Sequence, residues 1–191
     1  MARITLPNKL TLARIGFIPF LVAALLLEDG PVLSLAAAIF AVAAVLDGLD
    51  GYLARCRGEV TTMGKMLDPA ADKLLVMAAM IPLVQLGRVA AWTAVIVLGR
   101  EMLITGLRSI AAAQGVVIQA GAFGKQKMLA QVFAMLLLMI HVPVAGVSIH
   151  AVGTGILWYS IMLSVISGVQ YTVDFVNFAR RTPAPDEAPR S

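Results

Sequence analysis

The chain has a single cysteine, Cys56, among its 191 residues. No internal disulfide can form, and neither a thiolate metal cluster nor a paired redox motif can be assembled. Cys56 reads as a small buried residue. Histidine is nearly as scarce, with only His141 and His150, and both fall away from the main group of acids, as packing or interfacial residues. Charged residues make up only 14% of the chain against 60% hydrophobic, with a mean hydropathy of +0.89. A surface so poor in charge is solvated by lipid. Aromatics are few at 6%, and although the net charge is +4 and the pI about 9.6, the bases form no stripe with interleaved aromatics. That pattern excludes a nucleic-acid surface.

What remains is a series of apolar runs. At roughly 20 residues per crossing, the chain holds about six with short connections. The runs are 10–27, 32–46 continued as helix past Asp47, 70–86 closed by Gly87, 89–107 interrupted by Arg100 and Glu101, 128–149 with a kink expected at Pro143, and 151–173. The charged turn after the first run offers no small-residue cleavage site, so that run reads as a retained span. The expectation is an all-α integral membrane protein of six transmembrane helices, one domain over 1–180, followed by a Pro-rich, disordered tail at 181–191. The ten methionines, Trp92, Trp158 and the glycines 153, 155 and 168 read as packing, interfacial or helix-contact residues.

Lys and Arg collect on cytoplasmic ends. Arg3, Lys9 and Arg14 flank the first span; Arg55, Arg57, Lys65 and Lys73 lie between the second and third; Arg108, Lys125 and Lys127 lie between the fourth and fifth; Arg180, Arg181 and Arg190 follow the sixth. The opposite connections hold only Arg88. Both termini and the acidic segment after the second run are therefore placed in the cytoplasm.

That segment, DGLDGYLARCRGEVTTMGKMLDPAADK at 47–73, contains Asp47, Asp50, Asp68 and Asp72. Asp47 and Asp50 share a helix face with Gly51 and Ala54, and Gly64, Asp68 and Asp72 share one on the next helix. A hairpin between the helices would bring four carboxylates into one volume. Their repulsion calls for cations, and oxygen-only ligands suit hard divalent ions such as Mg²⁺, Mn²⁺ or Ca²⁺, two of which would balance the charge. Such ions commonly clamp phosphate oxygens. Gly51, Ala54 and Gly64 leave room for a ligand against the backbone, and Arg55 is placed to reach a phosphate. The alternative is a solvated loop in which Lys65 and Lys73 pair with the acids. Acids in or beside a membrane helix favour the functional reading.

Residues 47–72 fit, position by position, the signature of the CDP-alcohol phosphatidyltransferases: Asp47, Asp50, Gly51, Ala54, Arg55, Gly64, Asp68 and Asp72 at fixed gaps. Within that family, LPNKLTLARI, GREMLITGLR and GKQKMLAQ resemble the branch that uses glycerol 3-phosphate, with Met128 standing where that pattern has threonine. The resemblance implies a homodimer of six-helix protomers, each with a short amphipathic N-terminal interfacial helix, in the cell inner or plasma membrane. Two divalent cations, Mg²⁺ or Mn²⁺, would sit among the four aspartates and grip the pyrophosphate of CDP-diacylglycerol, with Asp72 also the general base. Gly51, Ala54, Arg55 and Gly64 would accommodate the CDP group, and Asn8 and Thr11 would assist unless Asn8 serves as a helix N-cap. The dianionic acceptor needs a second basic site, for which Arg100, Arg108, Lys125 and Lys127 are available, with Glu101 orienting one arginine. Serine, inositol phosphate or phosphatidylglycerol are the alternative acceptors. A cation or proton transporter is the alternative class, which would place its carboxylates near the midplane instead of at one face.

Replacing Asp72 by Asn should lower turnover by at least about 10²-fold, the share of a general base, while CDP-lipid binding survives. Asp68→Asn should weaken Mn²⁺ binding as well; equal metal loss in both variants, measured by Mn²⁺ titration, would make Asp72 chiefly a ligand.

Overall fold

The computed structural model describes the backbone of residues 6–27, 30–57, 62–113, 122–140 and 148–181. Side chains are described for the same residues except 6–8, 30–32, 50–57, 62–69, 113, 122–123, 125, 175 and 178–181. All regular structure among the described residues is helical: α1 Leu6–Leu26, α2 Gly30–Arg57, α3 Thr62–Gln85, α4 Ala91–Ala113, α5 Ala122–Ile140 and α6 Ile149–Arg181. The expected tail falls largely outside the described residues.

Among the described residues each apolar run supplies one helix, and the differences from expectation are at the ends. α2 continues past Asp47 to Arg57, and α3 begins at Thr62, so both aspartate pairs are helical by backbone. α1 is one continuous helix in which LPNKLTLARI forms the first half. A separate interfacial helix does not precede the first apolar run among the described residues, because no breaker lies between Lys9 and that run. Asn8 is accordingly inside α1 and not its N-cap. α5 is helical through Ile140, and Pro143, where a kink is expected, lies outside the described residues. The same helix starts at Ala122, which moves Lys125 and Lys127 from the expected loop into its first turns.

Among the described residues two helices have windows long and apolar enough to cross a membrane, Lys9–Leu26 at a mean hydropathy of 1.8 and Ile149–Asp174 at 1.6; Leu33–Leu49 and Gln126–Ile140 are shorter apolar stretches. In α4, Arg100 and Glu101 interrupt the apolar sequence.

α1 packs against α2 and α3, α5 lies along α6, and α4 joins the bundle through α6 and α3. Leu21, Leu25, Phe40, Met80, Leu83, Met135, Leu138 and Met139 fill the centre, and Ala36, Ala43, Ala79 and Ala134 let backbones approach among them. Close packing does the work here, since lipid is as apolar as the core. Hydroxyls bond within their own helix, as in buried Ser160 Oγ to the Leu157 carbonyl at 2.7 Å and half-buried Thr154 Oγ1 to the His150 carbonyl at 2.9 Å.

The helix ends opposite the aspartates are tied together by polar contacts. α3 closes where Gly87 adopts a φ of 67°, with Gly87 N–H bonded to the Val84 carbonyl at 3.0 Å and Arg88 N–H to the Leu83 carbonyl at 2.9 Å. This is a Schellman closure, which favours glycine at the left-handed position. Arg88 Nη1 then donates to the Leu138 and Met139 carbonyls at 3.1 and 2.8 Å, capping the last turn of α5. His150 Nε2 lies 3.1 Å from the Arg88 carbonyl, and Ser148 caps α6 through the Ala151 N–H. Trp92 and Trp158 meet nearby with centroids 5.0 Å apart and ring planes tilted by 51°.

Gly153, on α6, is buried against α5. A Cβ there would lie 3.1 Å from Leu137 Cβ and Leu138 Cγ, whereas at Gly155 it would meet nothing within 4 Å. Gly153→Ala should therefore destabilise the detergent-solubilised protein by about 1–3 kcal/mol, and Gly155→Ala should leave it unchanged or gain up to about 1 kcal/mol of helix propensity. Thermal unfolding of both variants checks this; equal behaviour would remove the α5–α6 contact as its cause.

Candidate active site

The site begins with Arg14. One turn after Thr11 on α1, both side chains are 0% exposed, and Arg14 Nη1 is ion-paired with Asp47 Oδ1 near the C-terminal end of α2. An unpaired guanidinium would be too costly at such a position, so the pair docks α1 onto α2 at the level of the acids. Counting Arg14 only as a topology-setting base missed this contact. Its spacing gave the one available signal, since it lies one turn after Thr11, well inside the first apolar run.

Asp72 on α3 lies within Coulombic reach of Asp47, Arg14, Lys73 and Lys127. The fold therefore brings Asp47 and Asp72 together from different helices, as the hairpin expectation requires. Asp50, Gly51, Ala54, Arg55, Gly64 and Asp68 lie on α2 and α3 by backbone, but their side chains are outside the described residues, as are those of Asn8 and Lys125. Among the described residues no group of three or more His, Cys, Asp or Glu side chains is gathered. Asp47 and Asp72, from different helices, present carboxylate oxygens to one cavity, a donor chemistry that fits a divalent cation.

That cavity, of about 460 Å³, is walled by Asp47, Asp72, Lys73, Glu101 and Arg108 among others. A second cavity, of about 270 Å³, shares Asp72, Lys73, Glu101, Thr105 and Arg108 with it and reaches on to Arg100, Lys127 and Gln131. Asp72 therefore stands at the junction of an acidic compartment and a basic one. Lys73, Arg100, Arg108 and Lys127 outnumber Asp72 and Glu101 around the smaller cavity, an excess of formal positive charge that suits a phosphate dianion.

The basic wall is itself braced. Glu101 Oε1 accepts from Lys127 Nζ and, at 3.3 Å, from Arg100 Nη1, so one carboxylate holds a base on α4 and another on α5. The orienting role expected for Glu101 toward an arginine thus extends to a lysine. Arg100 Nε donates to the Ser164 carbonyl at 3.0 Å and its Nη2 to Ser167 Oγ at 2.5 Å. The Arg108 guanidinium lies over the Tyr171 ring, 5.5 Å from its centroid. Of the predicted acceptor-site residues, Arg100, Arg108 and Lys127 share this cavity; Lys73, Gln131 and Thr105 join them without having been singled out for it.

An all-helical protein with membrane-length apolar helices and a cavity setting carboxylates beside clustered bases is a membrane protein equipped to handle an anionic ligand. The chain belongs to the CDP-alcohol phosphatidyltransferases, whose family model matches residues 4–166. It is thus a membrane-associated transferase of phospholipid biosynthesis. A Bacillus subtilis protein named CDP-diacylglycerol--glycerol-3-phosphate 3-phosphatidyltransferase is 43% identical, across 87% of this chain and 92% of its own. A Rickettsia felis protein of the same name is 36% identical over 87% and 92%. A Mycobacterium tuberculosis protein named probable phosphatidylglycerophosphate synthase is 38% identical over 87% and 79%.

Breaking one partner of a buried ion pair strands the other. Arg14→Met should lower stability by about 3–5 kcal/mol, and adding Asp47→Asn should recover part of the loss. Chemical denaturation of the single and double variants in detergent tests the coupling; strictly additive effects would dissolve it.

Proposed function

We propose that the chain transfers the phosphatidyl group of CDP-diacylglycerol to glycerol 3-phosphate, giving phosphatidylglycerophosphate and CMP. The observation that carries this reading is the shared wall at Asp72, which sets a proton acceptor between the Asp47 compartment and the Arg100, Arg108 and Lys127 cavity. The names of the relatives point to the same acceptor.

In this mechanism Arg100, Arg108, Lys125 and Lys127 bind the acceptor phosphate and aim its primary hydroxyl at Asp72. Asp72 takes the hydroxyl proton as the oxygen forms a bond to the lipid-bearing phosphorus. The P–O bond to CMP breaks, and the electron pair leaves with CMP. Asp47, engaged by Arg14, is the less available base. Asp47, Asp50, Asp68 and Asp72 would hold two divalent cations, Mg²⁺ or Mn²⁺, whose chemistry when bound is electrostatic screening of the pyrophosphate. Gly51, Ala54, Arg55 and Gly64, with Asn8 and Thr11, line the CDP side in this reading. The shape of α3, whose acids precede its apolar half, lets the reacting groups lie at the membrane's edge.

The same reading makes each of the six helices a span, at about 1.5 Å per residue against a hydrocarbon core of ~30 Å. It puts both termini and the site in the cytoplasm of the inner or plasma membrane, with 1–180 as the membrane domain, 181–191 as a tail, and a homodimer as the assembly. The distribution of bases supports the orientation, and the family resemblance supports the dimer.

Purified protein should release CMP from CDP-diacylglycerol with glycerol 3-phosphate in preference to serine, inositol phosphate or phosphatidylglycerol, and only with Mg²⁺ or Mn²⁺ present. Arg108→Ala should raise KM for glycerol 3-phosphate about 10- to 100-fold, the worth of a hydrogen bond to a charged group. Preference for another acceptor would reassign the substrate, and cation flux in liposomes without CMP release would replace the transferase chemistry.

A further inference from the structure

The acids of the signature lie on α2 and α3, and the bases of the acceptor cavity on α3, α4 and α5, yet both cavity arginines are held by α6. Ser164, Ser167, Gly168 and Tyr171 recur at helical spacing on one face of α6. The first two accept from Arg100, through a backbone carbonyl and a hydroxyl respectively. Gly168 leaves room for the same side chain: a Cβ there would lie 3.5 Å from Arg100 Nε and 3.7 Å from Ile104 Cδ1, so larger groups would push the arginine aside. Tyr171 is 6% exposed and offers its ring to Arg108 at 5.5 Å.

The registers agree. Arg100 and Arg108 are two turns apart, about 12 Å along α4, and their α6 partners span about 10 Å between Ser164 and Tyr171. Residue number rises in the same direction on both helices, so α4 and α6 run parallel with their contact ladder in step. Long, flexible cationic side chains would otherwise sample many rotamers above a cavity. Fixing them beforehand removes an ordering cost from ligand binding.

We infer that this face of α6 is a positioning platform that sets Arg100 and Arg108 at the separation selecting a phosphate-bearing acceptor; the inference rests on the reading of their cavity as the acceptor site. The platform does not touch the reacting atoms. Ser167 and Tyr171 act through the arginines, and the matched family model ends at residue 166, before Ser167, Gly168 and Tyr171.

The test is steady-state kinetics of the full-length protein in mixed micelles, with inorganic phosphate as a competitive probe of the cavity. Ser167→Ala should raise KM for glycerol 3-phosphate about tenfold, as loss of a hydrogen bond to a charged group. Tyr171→Leu should raise it about fivefold, as loss of a cation–π contact. The inhibition constant of phosphate should weaken by the same factors, while kcat and KM for CDP-diacylglycerol stay within about twofold, as expected for loss of uniform binding. Ser167→Thr and Tyr171→Phe, which keep the hydroxyl and the ring face, should restore wild-type values. Wild-type acceptor KM in both disruptive variants, a fall in kcat without a change in acceptor KM, or failure of both conservative variants to rescue would overturn the platform. Should the wild-type protein release no CMP with glycerol 3-phosphate, the underlying reading fails first and the platform with it.

Discussion

Charge placed among apolar helices must find a partner within reach, because neither lipid nor packed side chains can solvate it. In this protein that requirement organises the bundle. Arg14 meets Asp47 and docks α1 onto α2. Glu101 joins α4 to α5 through Lys127. Arg100 and Arg108 bind α4 to α6, one through serine oxygens and the other through an aromatic face. Arg88 caps α5 at the opposite end. Each polar contact crosses between helices and so fixes their relative positions, which dispersion among alanine, leucine and methionine would define only loosely.

The contacts divide by what they leave available. At the Arg88 end the groups satisfy one another and close helix termini. Around Asp72 the charged side chains are braced from behind and still line open volume. A cavity of about 270 Å³ with its bases already fixed is preorganised for an anion, whose binding then need not order those side chains. The transferase reading follows from the neighbouring compartment, where Asp47 and Asp72 offer oxygen donors and a proton acceptor on the other side of the same wall. Carboxylates too near the phosphate cradle would repel the acceptor; carboxylates too far away could not take its proton.

Much of this was legible along the chain. The apolar runs announced the helices, Gly87 announced the close of α3, and the gaps between Asp47, Asp50, Asp68 and Asp72 announced both the two acidic faces and the family. Helix periodicity and turn chemistry are local, so they survive in one dimension. Boundaries were less secure. Among the described residues, α1 runs on from Leu6 without a separate interfacial helix and Lys127 is a helical residue, because hydropathy marks where lipid-soluble sequence lies and not where backbone hydrogen bonding stops.

The order of residues alone determined the all-helical class, the acidic signature and the presence of surplus bases, since each depends on residue type and spacing within a helix. Only the tertiary structure decided which charge serves which. Arg14 read as one more cytoplasmic base until α1 packed against α2, and Ser167 and Tyr171 carried no functional mark until α6 came alongside α4. Those roles depend on pairings between residues more than thirty positions apart, and a distance of that kind is set by how helices pack, which no local pattern encodes.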